Sequence, residues 1–145
     1  MTNEKETASI LLVDDSEMDI DLTMLAFGRI KFSKAVQIAR DGAEVLDIVE
    51  NWKTGSPMPR LILLDIKLPK VSGLEVLRII KSTKKTNHIP IVMLTSSNND
   101  DDVRTAYDYG ANSYIIKPVD FDKFIDLTSI LCNYWIGMNV EPENK

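Results

Sequence analysis

The stretch Leu61-Ile-Leu-Leu-Asp65 is an uninterrupted apolar run that ends in a single carboxylate. Four apolar residues in a row, preceded by the Pro- and Gly-containing loop 53–60, are typical of a strand that is buried on both faces. Four more short strand-like runs occur, at residues 9–13, 35–39, 91–94 and 113–116. Segments with helical periodicity follow them, at residues 16–30, 43–52, 74–82, 97–110 and 120–136.

Strands and helices therefore alternate along the chain. Apolar strands that alternate with helices predict a parallel sheet covered by helices on both faces. The predicted fold class is α/β, with three α/β/α layers and a five-stranded parallel sheet. Local signals support the helix ends: Ser16 is a predicted N-cap with Asp19 as its capping-box partner, and Gly110 is predicted to follow the fourth helix.

Length and composition restrict the class of protein. A chain of 145 residues with 44% hydrophobic residues is suited to one domain with an ordinary core. The net charge of −5 argues against a nucleic-acid partner, which requires a basic face. No apolar run reaches the roughly 18 residues of a membrane span, and residues 1–7 lack the apolar stretch of a signal peptide. The one cysteine, Cys132, cannot form an internal disulfide, so we expect a cytoplasmic protein without a membrane partner.

Polar residues follow the predicted strands at the point where each strand ends. Asp14 and Asp15 follow the first strand, Asp65 the third, Thr95 the fourth and Lys117 the fifth. In a parallel sheet these ends lie at one edge, where functional groups collect. Three neighbouring carboxylates repel one another unless a cation is present, and Mg²⁺ prefers oxygen ligands of this kind. A carboxylate beside such an ion and an ammonium group is able to attack a phosphoryl group and form an acyl phosphate.

Four segments, taken together and in this order, resemble one known family. They are Ile10-Leu-Leu-Val-Asp-Asp15; Leu61-Ile-Leu-Leu-Asp65 with Pro69 and Gly73; Pro90-Ile-Val-Met-Leu-Thr-Ser96; and Gly110-Ala-Asn-Ser-Tyr-Ile-Ile-Lys-Pro118. Through these segments the chain is similar to the response-regulator receiver domains of two-component signalling, over residues 8 to 136. The resemblance implies a flavodoxin-like fold and a phosphoprotein of a phosphorelay, rather than a metabolic enzyme.

The resemblance also implies roles for the strand-end residues. Asp65 would be the phosphoacceptor. The implied Mg²⁺ ligands are Asp15, Asp65, the backbone carbonyl of Lys67 and, largely through a bound water, Asp14. Lys117 would pair with Asp65 before phosphorylation and with the phosphoryl group afterwards. The side-chain cation of Lys67 lies close to the acceptor, where it would either help to hold phosphate or compete with Mg²⁺ for Asp65.

A conformational switch is implied as well. Thr95 would hydrogen-bond a phosphoryl oxygen and draw its loop inward, and the ring of Tyr114 would move inward in step. The peptide bond between Lys117 and Pro118 would be cis, as is usual in this family.

The implied partner is a sensor histidine kinase, and the downstream partner stays open. Within the family the chain is most similar to single-domain regulators of bacterial phytochrome kinases. Residues 1–7 are predicted to be a disordered N-terminus, 8–137 the receiver domain and 138–145 a tail, with no output domain. A second apolar stripe on the last helix predicts a homodimer or partner face, unless residues 136–140 fold back and cover it; its members are Leu127, Ile130 and Tyr134.

Three other functions fit parts of the pattern. An aspartate-nucleophile phosphatase of the haloacid dehalogenase type places a second aspartate two residues after the nucleophile, where this chain has Lys67. A nucleotide-binding module needs a glycine-rich loop after the first strand, and the sequence has none there. A phosphorylation-independent interaction module is disfavoured by the intact set of acids.

Overall fold

A computed structural model describes residues 8–142, in which a parallel sheet lies between two layers of helices. The strands are β1 (Ile10–Val13), β2 (Val36–Ala39), β3 (Leu61–Leu64), β4 (Ile91–Thr95) and β5 (Ser113–Ile116). The helices are α1 (Glu17–Arg29), α2 (Gly42–Lys53), α3 (Gly73–Ser82), α4 (Asp100–Asp108) and α5 (Phe121–Cys132). The predicted disorder of residues 1–7 and the end of the predicted tail, 143–145, lie outside the described residues.

The strand order is β2-β1-β3-β4-β5, and every neighbouring pair is parallel. This is the flavodoxin-like order, so the predicted fold class is confirmed. Each strand lies within one residue of its predicted bounds. The strands β1, β3 and β4 are buried along their whole length, because they occupy the middle of the sheet, whereas the edge strands β2 and β5 are partly exposed.

Alternate side chains of the strands enter two separate cores. On β1, Leu11 and Val13 pack with α2 and α3, whereas Ile10 and Leu12 pack with α1 and α5. The buried thiol of Cys132 belongs to the second core. Burial of each large aliphatic side chain stabilises the fold by about 1.5–3 kcal/mol. The two cores together hold the sheet, and the functional residues lie at its edge.

Each helix begins at a side-chain cap. The hydroxyl of Ser16 accepts a hydrogen bond from the N–H of Asp19 (3.2 Å), and the hydroxyl of Ser72 accepts one from the N–H of Glu75 (3.2 Å). The other three caps are Asp41, Asn99 and Asp120. Such caps satisfy N–H groups that have no partner within the helix. They fix the first turns of α1 and α3, which begin close to the strand-end acids.

The predicted N-cap at Ser16 is confirmed, but its predicted capping box is wrong. The N–H of Ser16 donates to Oδ1 of Asp14 (3.0 Å), not to Asp19. The carboxylate of Asp19 accepts a hydrogen bond from Lys117 instead. A long-range charged partner has thus replaced the short-range one.

Two glycines occupy positions that other residues would not tolerate. A Cβ atom on Gly73 would lie 1.9 Å from the carbonyl oxygen of Asp65, because the start of α3 packs directly against the end of β3. Gly110 follows α4 with a φ of +100°, in the left-handed region that glycine adopts readily, and this confirms its predicted place.

The last helix differs from its prediction. It was expected to reach residue 136, but the α-helical part ends at Cys132 and a π-helical turn, Asn133–Met138, continues it. The chain then passes Arg60, whose guanidinium donates to the carbonyl of Asn139 (3.2 Å) and pairs with Glu141 (3.7 Å). Among residues 8–142, no helix has both the length and the apolar character needed to cross a bilayer.

Candidate functional site

The site lies at the carboxyl-terminal edge of the sheet, where the central strands end side by side. Val13 of β1 is in register with Leu64 of β3, so Asp14 and Asp65 emerge next to each other. The N–H of Asp65 donates to the carbonyl of Val13 (3.1 Å). Each carboxylate is therefore attached to a buried strand, which fixes the start of its side chain.

The ammonium group of Lys117 lies among the carboxylates at this edge. Its Nζ donates to Oδ2 of Asp14 (2.6 Å), Asp19 (2.8 Å) and Asp65 (3.1 Å). Because β4 lies between β3 and β5, the lysine side chain passes over the end of β4 to reach Asp65. The backbone of Lys117 is held by its N–H, which donates to the carbonyl of Thr95 (2.8 Å).

Burial and charge shift the pKa values of this group in defined directions. Burial alone would lower the pKa of Lys117, but hydrogen bonds to Asp14 and Asp19 and the charge of Asp65 outweigh it and raise that pKa. Burial raises the pKa of Asp14, and the hydrogen bond from Lys117 offsets only part of this effect. The ammonium therefore stays protonated at neutral pH, and a further positive charge would favour the ionised form of Asp14.

Asp19 belongs to this network, although its sequence position predicted only a role in the helix cap. It lies in the first turn of α1, four residues after Asp15, which precedes the helix, and this short separation keeps both residues at the same edge of the sheet. That spacing was a usable signal. It is weak by itself, because acidic residues are common in the first turn of any helix.

Three carboxylates form an acid cluster, by which we mean Asp14, Asp15 and Asp65. One oxygen of each lies within 4.8 Å of those of the other two. Asp14 and Asp65 are buried whereas Asp15 is exposed, so the cluster is open to solvent on one side. Hard oxygen donors with an open side suit a divalent cation that keeps some of its waters, as Mg²⁺ does. The acid cluster therefore fits the predicted metal.

A cavity of about 640 Å³ opens above the acid cluster. Asp15, Asp65 and Thr95 line it, and the exposed side chain of Lys67 lies at its rim. One oxygen of Asp65, Oδ1, accepts a hydrogen bond from the N–H of Ile66 (2.7 Å). The other, Oδ2, is hydrogen-bonded only through Lys117 among the described residues. The site thus presents one carboxylate beside an ammonium group in a space large enough for a phosphoryl group.

The match to known families agrees with this geometry. Residues 10–129 match the response regulator receiver domain. The chain belongs to the response-regulator receiver family. It therefore belongs with signalling proteins rather than with metabolic enzymes, and the phosphatase alternative is set aside.

Several relatives of this receiver are similar over most of their length. The probable methanogenesis regulatory protein FilR2 of Methanothrix harundinacea is 42% identical over 134 residues, which cover 92% of this chain and 86% of FilR2. The response regulator Rcp1 of Synechocystis, solved in an Mn²⁺-bound form, superposes with a TM-score of 0.82 at 33% identity, covering 92% of this chain and 98% of that one. The phosphorylated cyanobacterial phytochrome response regulator RcpA gives 0.84 at 33% identity, covering 92% and 97%. The predicted similarity to phytochrome response regulators is confirmed.

The predicted switch residues of the receiver meet at the loop between β4 and α4. The hydroxyl of Thr95 accepts a hydrogen bond from the N–H of Ser97 (3.3 Å). The hydroxyl of Tyr114 donates to the carbonyl of Ser97 (2.8 Å), and its ring packs against the core beneath α2 and α3. Both side chains therefore contact the same loop residue, which links the acceptor edge to β5.

The prediction of a cis peptide bond between Lys117 and Pro118 is wrong for this structure. No peptide bond within residues 8–142 is cis. The trans isomer is intrinsically favoured before proline by about 0.5–1 kcal/mol. Lys117 makes all of its carboxylate contacts with that isomer.

Two apolar stripes lie on the surface of the receiver. One begins on α5 and continues onto the π-helical turn; its members Ile130 and Tyr134 are 65% and 49% exposed, so residues 136–140 do not cover them, whereas Leu127 is half-buried. The second stripe was not predicted. It runs along α1 and starts beside the acid cluster; we call it the α1 stripe, and its members are Met18, Leu22 and Leu25, all exposed.

Proposed function

We propose that this receiver accepts a phosphoryl group from a phosphohistidine of a sensor histidine kinase onto Asp65. The observation that carries the proposal is the short distance from Lys117 Nζ to Asp65 Oδ2 (3.1 Å). It lies at the acid cluster, in which one oxygen of each carboxylate is within 4.8 Å of those of the other two. The absence of a membrane-crossing helix among residues 8–142 is consistent with a cytoplasmic encounter with the kinase.

The transfer can be written from the residues in place. An oxygen of the Asp65 carboxylate attacks phosphorus while the P–N bond of the phosphohistidine breaks, and the imidazole of the kinase leaves with the electron pair of that bond. Lys117 then donates to a phosphoryl oxygen in place of Asp65, and so offsets charge on the transferring group. Water later attacks the acyl phosphate, releasing phosphate and restoring the carboxylate.

Mg²⁺ is the proposed cofactor of this reaction. Asp15, Asp65 and the backbone carbonyl of Lys67 would hold it directly, and Asp14 largely through a water. When bound, the ion supplies positive charge that stabilises the transferring phosphoryl oxygens. The proposal is supported by the oxygen donors of the acid cluster and by the position of Lys67 at the rim of the cavity.

Phosphorylation would then change the partner-binding surface. The hydroxyl of Thr95, which accepts a hydrogen bond from the N–H of Ser97, would donate its own O–H to a phosphoryl oxygen, and this would draw the loop inward. Tyr114 would follow because its hydroxyl is bonded to the same loop at Ser97. The face formed by α4, β5 and α5 would change as a result.

Incubation with Mg²⁺ and acetyl phosphate tests the proposal directly. We expect incorporation of one phosphoryl group that is stable in acid and labile in base, as an acyl phosphate is. Chelation of the metal should prevent it. A protein that stays unlabelled, or that turns over added phosphate esters continuously, would contradict the proposal.

The α1 stripe is proposed as the kinase-docking surface. A phosphohistidine must reach Asp65 through the open cavity, so the kinase has to contact the surface around it. The α1 stripe begins there and is apolar and exposed, which is unusual for the outer face of a surface helix. A phytochrome-type kinase is the partner class that the similarity to Rcp1 and RcpA supports.

Leu22→Asp should slow phosphotransfer from the phosphorylated kinase roughly tenfold or more, because a charge would replace a central apolar contact. Labelling by acetyl phosphate should not change, since the acid cluster is untouched. The two rates are measured side by side on the same preparation. Asp21→Asn, at the neighbouring exposed position, is the control and should leave both rates unchanged. Equal loss with both donors would show that the site itself was damaged.

The apolar stripe on α5 is proposed as a homodimer or partner face. Ile130→Lys places a charge at its most exposed member, and we expect the sedimenting mass to fall from dimer to monomer. Lys123→Glu on the same helix is the control for a general effect of charge. An unchanged mass for Ile130→Lys would count against a homodimer and leave a different protein as the occupant of this face.

A further inference from the structure

Every hydrogen-bond donor of Lys117 is already used before a phosphoryl group arrives. A lysine ammonium has three N–H groups. In this receiver they go to Asp14 (2.6 Å), Asp19 (2.8 Å) and Asp65 (3.1 Å). The transfer proposed above needs at least one of these bonds to move onto a phosphoryl oxygen. The strength with which the three carboxylates hold the N–H groups of Lys117 therefore affects the rate of phosphotransfer.

The three acids are not equivalent. The side chain of Asp14 is 4% exposed and that of Asp65 is 12% exposed, whereas that of Asp19 is 30% exposed. Asp14 is also held by the N–H of Ser16 through its other oxygen. Asp19 is anchored differently, since its backbone N–H is bonded to the N-cap Ser16 and its carboxylate reaches out from the first turn of α1. It therefore holds Lys117 from the first turn of α1.

Asp19 also adds charge where charge is unfavourable. It is one of four carboxylates that line the cavity above the acid cluster, with Asp15, Asp65 and Asp102. Phosphodonors are anions. A fourth negative charge repels them, and the repulsion is weakened by salt.

We infer that Asp19 is a positioning residue that restrains Lys117 toward α1 and thereby slows phosphorylation of Asp65. This inference rests on the proposed function. With Asp19 neutralised, its hydrogen bond to Lys117 loses the attraction of opposite charges, so Lys117 turns one N–H more readily toward the incoming phosphoryl group, and the cavity repels the donor less. Asp19 thus limits phosphorylation by donors that lack a kinase to position them.

The test compares Asp19→Asn with the unaltered chain, using acetyl phosphate and Mg²⁺. We expect the second-order rate constant for labelling to rise roughly tenfold, which is the scale of one charge-assisted hydrogen bond. The difference between the two proteins should shrink as ionic strength increases. Asp19→Glu keeps the charge and should stay close to the unaltered rate. A residue with a merely structural role would change thermal stability but not this salt dependence.

Asp21→Asn is the matched control, because it removes one charge from the same helix at an exposed position without a hydrogen bond to Lys117. It should label at the unaltered rate. If the unaltered chain is labelled and Asp19→Asn is labelled equally fast or more slowly, the inference is overturned and the proposed function stands. If the unaltered chain is not labelled at all, the proposed function fails and the inference fails with it.

Discussion

Asp65→Asn should abolish labelling by acetyl phosphate and by a phosphorylated histidine kinase alike. An amide is nearly the same size as a carboxylate but is not a nucleophile toward phosphorus. The substitution can keep the hydrogen bond from the N–H of Ile66 to the side-chain oxygen (2.7 Å in the unaltered chain), so the backbone has no reason to move. Incorporation of phosphate is measured with both donors at saturating Mg²⁺.

Thermal unfolding provides the control for this variant. Removing one charge from the three carboxylates that share Lys117, beside the fourth carboxylate of Asp15, should leave the stability equal or higher in the absence of metal. A folded Asp65→Asn protein that still accepts phosphate at the unaltered rate would show that the acceptor is another residue. Asp100→Asn, at an exposed position at the start of α4, should be labelled normally.

Gly73→Ala should damage both the fold and the site. The added Cβ would lie 1.9 Å from the carbonyl oxygen of Asp65, and the backbone cannot yield as a flexible side chain would. Either the first turn of α3 or the end of β3 must shift. We expect a loss of about 3 kcal/mol in the free energy of unfolding, as for an overpacked core. Labelling of Asp65 should fall at the same time, because the acceptor moves relative to Lys117.

Gly28→Ala is the matched control for that substitution. Gly28 lies within α1, and nothing comes within 4 Å of a Cβ atom built there. Alanine is the better helix former by about 0.8–1 kcal/mol, so this variant should be more stable and should be labelled normally. The free energy of unfolding in denaturant and the labelling of Asp65 are measured for Gly73→Ala and Gly28→Ala alike. Equal stability of the two variants would contradict the close packing of α3 against Asp65.

The fold followed from short-range information. The runs at 61–64 and 91–94 are apolar on both faces, and only a covered central strand fits such a run. The order of acids, hydroxyl and lysine at the strand ends then placed Asp65 and Lys117 at one edge. That placement needs the direction of the strands, which the alternation of strands and helices supplies, and their order, which the resemblance to receiver domains implies.

The role of Asp19 did not follow from the sequence, for a physical reason. Asp19 lies three residues after Ser16, which is the position of a capping-box partner. The local sequence therefore fits a capping box and gives no sign of the contact with Lys117. The deciding partner, Lys117, is 98 residues away in the chain and carries a full charge. Both hydrogen bonds would have the charged carboxylate as acceptor, but only the ammonium donor adds the attraction of two opposite charges, so the distant partner prevails over the backbone N–H.

The α1 stripe was missed because periodicity shows which residues share a helix face but not which face is covered. Ile20, Ala26 and Phe27 are buried, while Leu22 and Leu25 on the same helix are exposed. Both sets are apolar, and only the packing of α1 beside α5 separates them. The end of α5 was misplaced for a similar reason, since the apolar spacing continues through Trp135 after the α-helical geometry has ended.

The identity of the phosphorylated residue is the most direct test of this account. After labelling with acetyl phosphate and Mg²⁺, borohydride reduction converts an aspartyl phosphate into homoserine, and peptide mass spectrometry locates the change. We predict homoserine at position 65 and at no other aspartate. Homoserine at position 14, 15 or 19 with Asp65 intact would contradict the assignment of Asp65 as the acceptor.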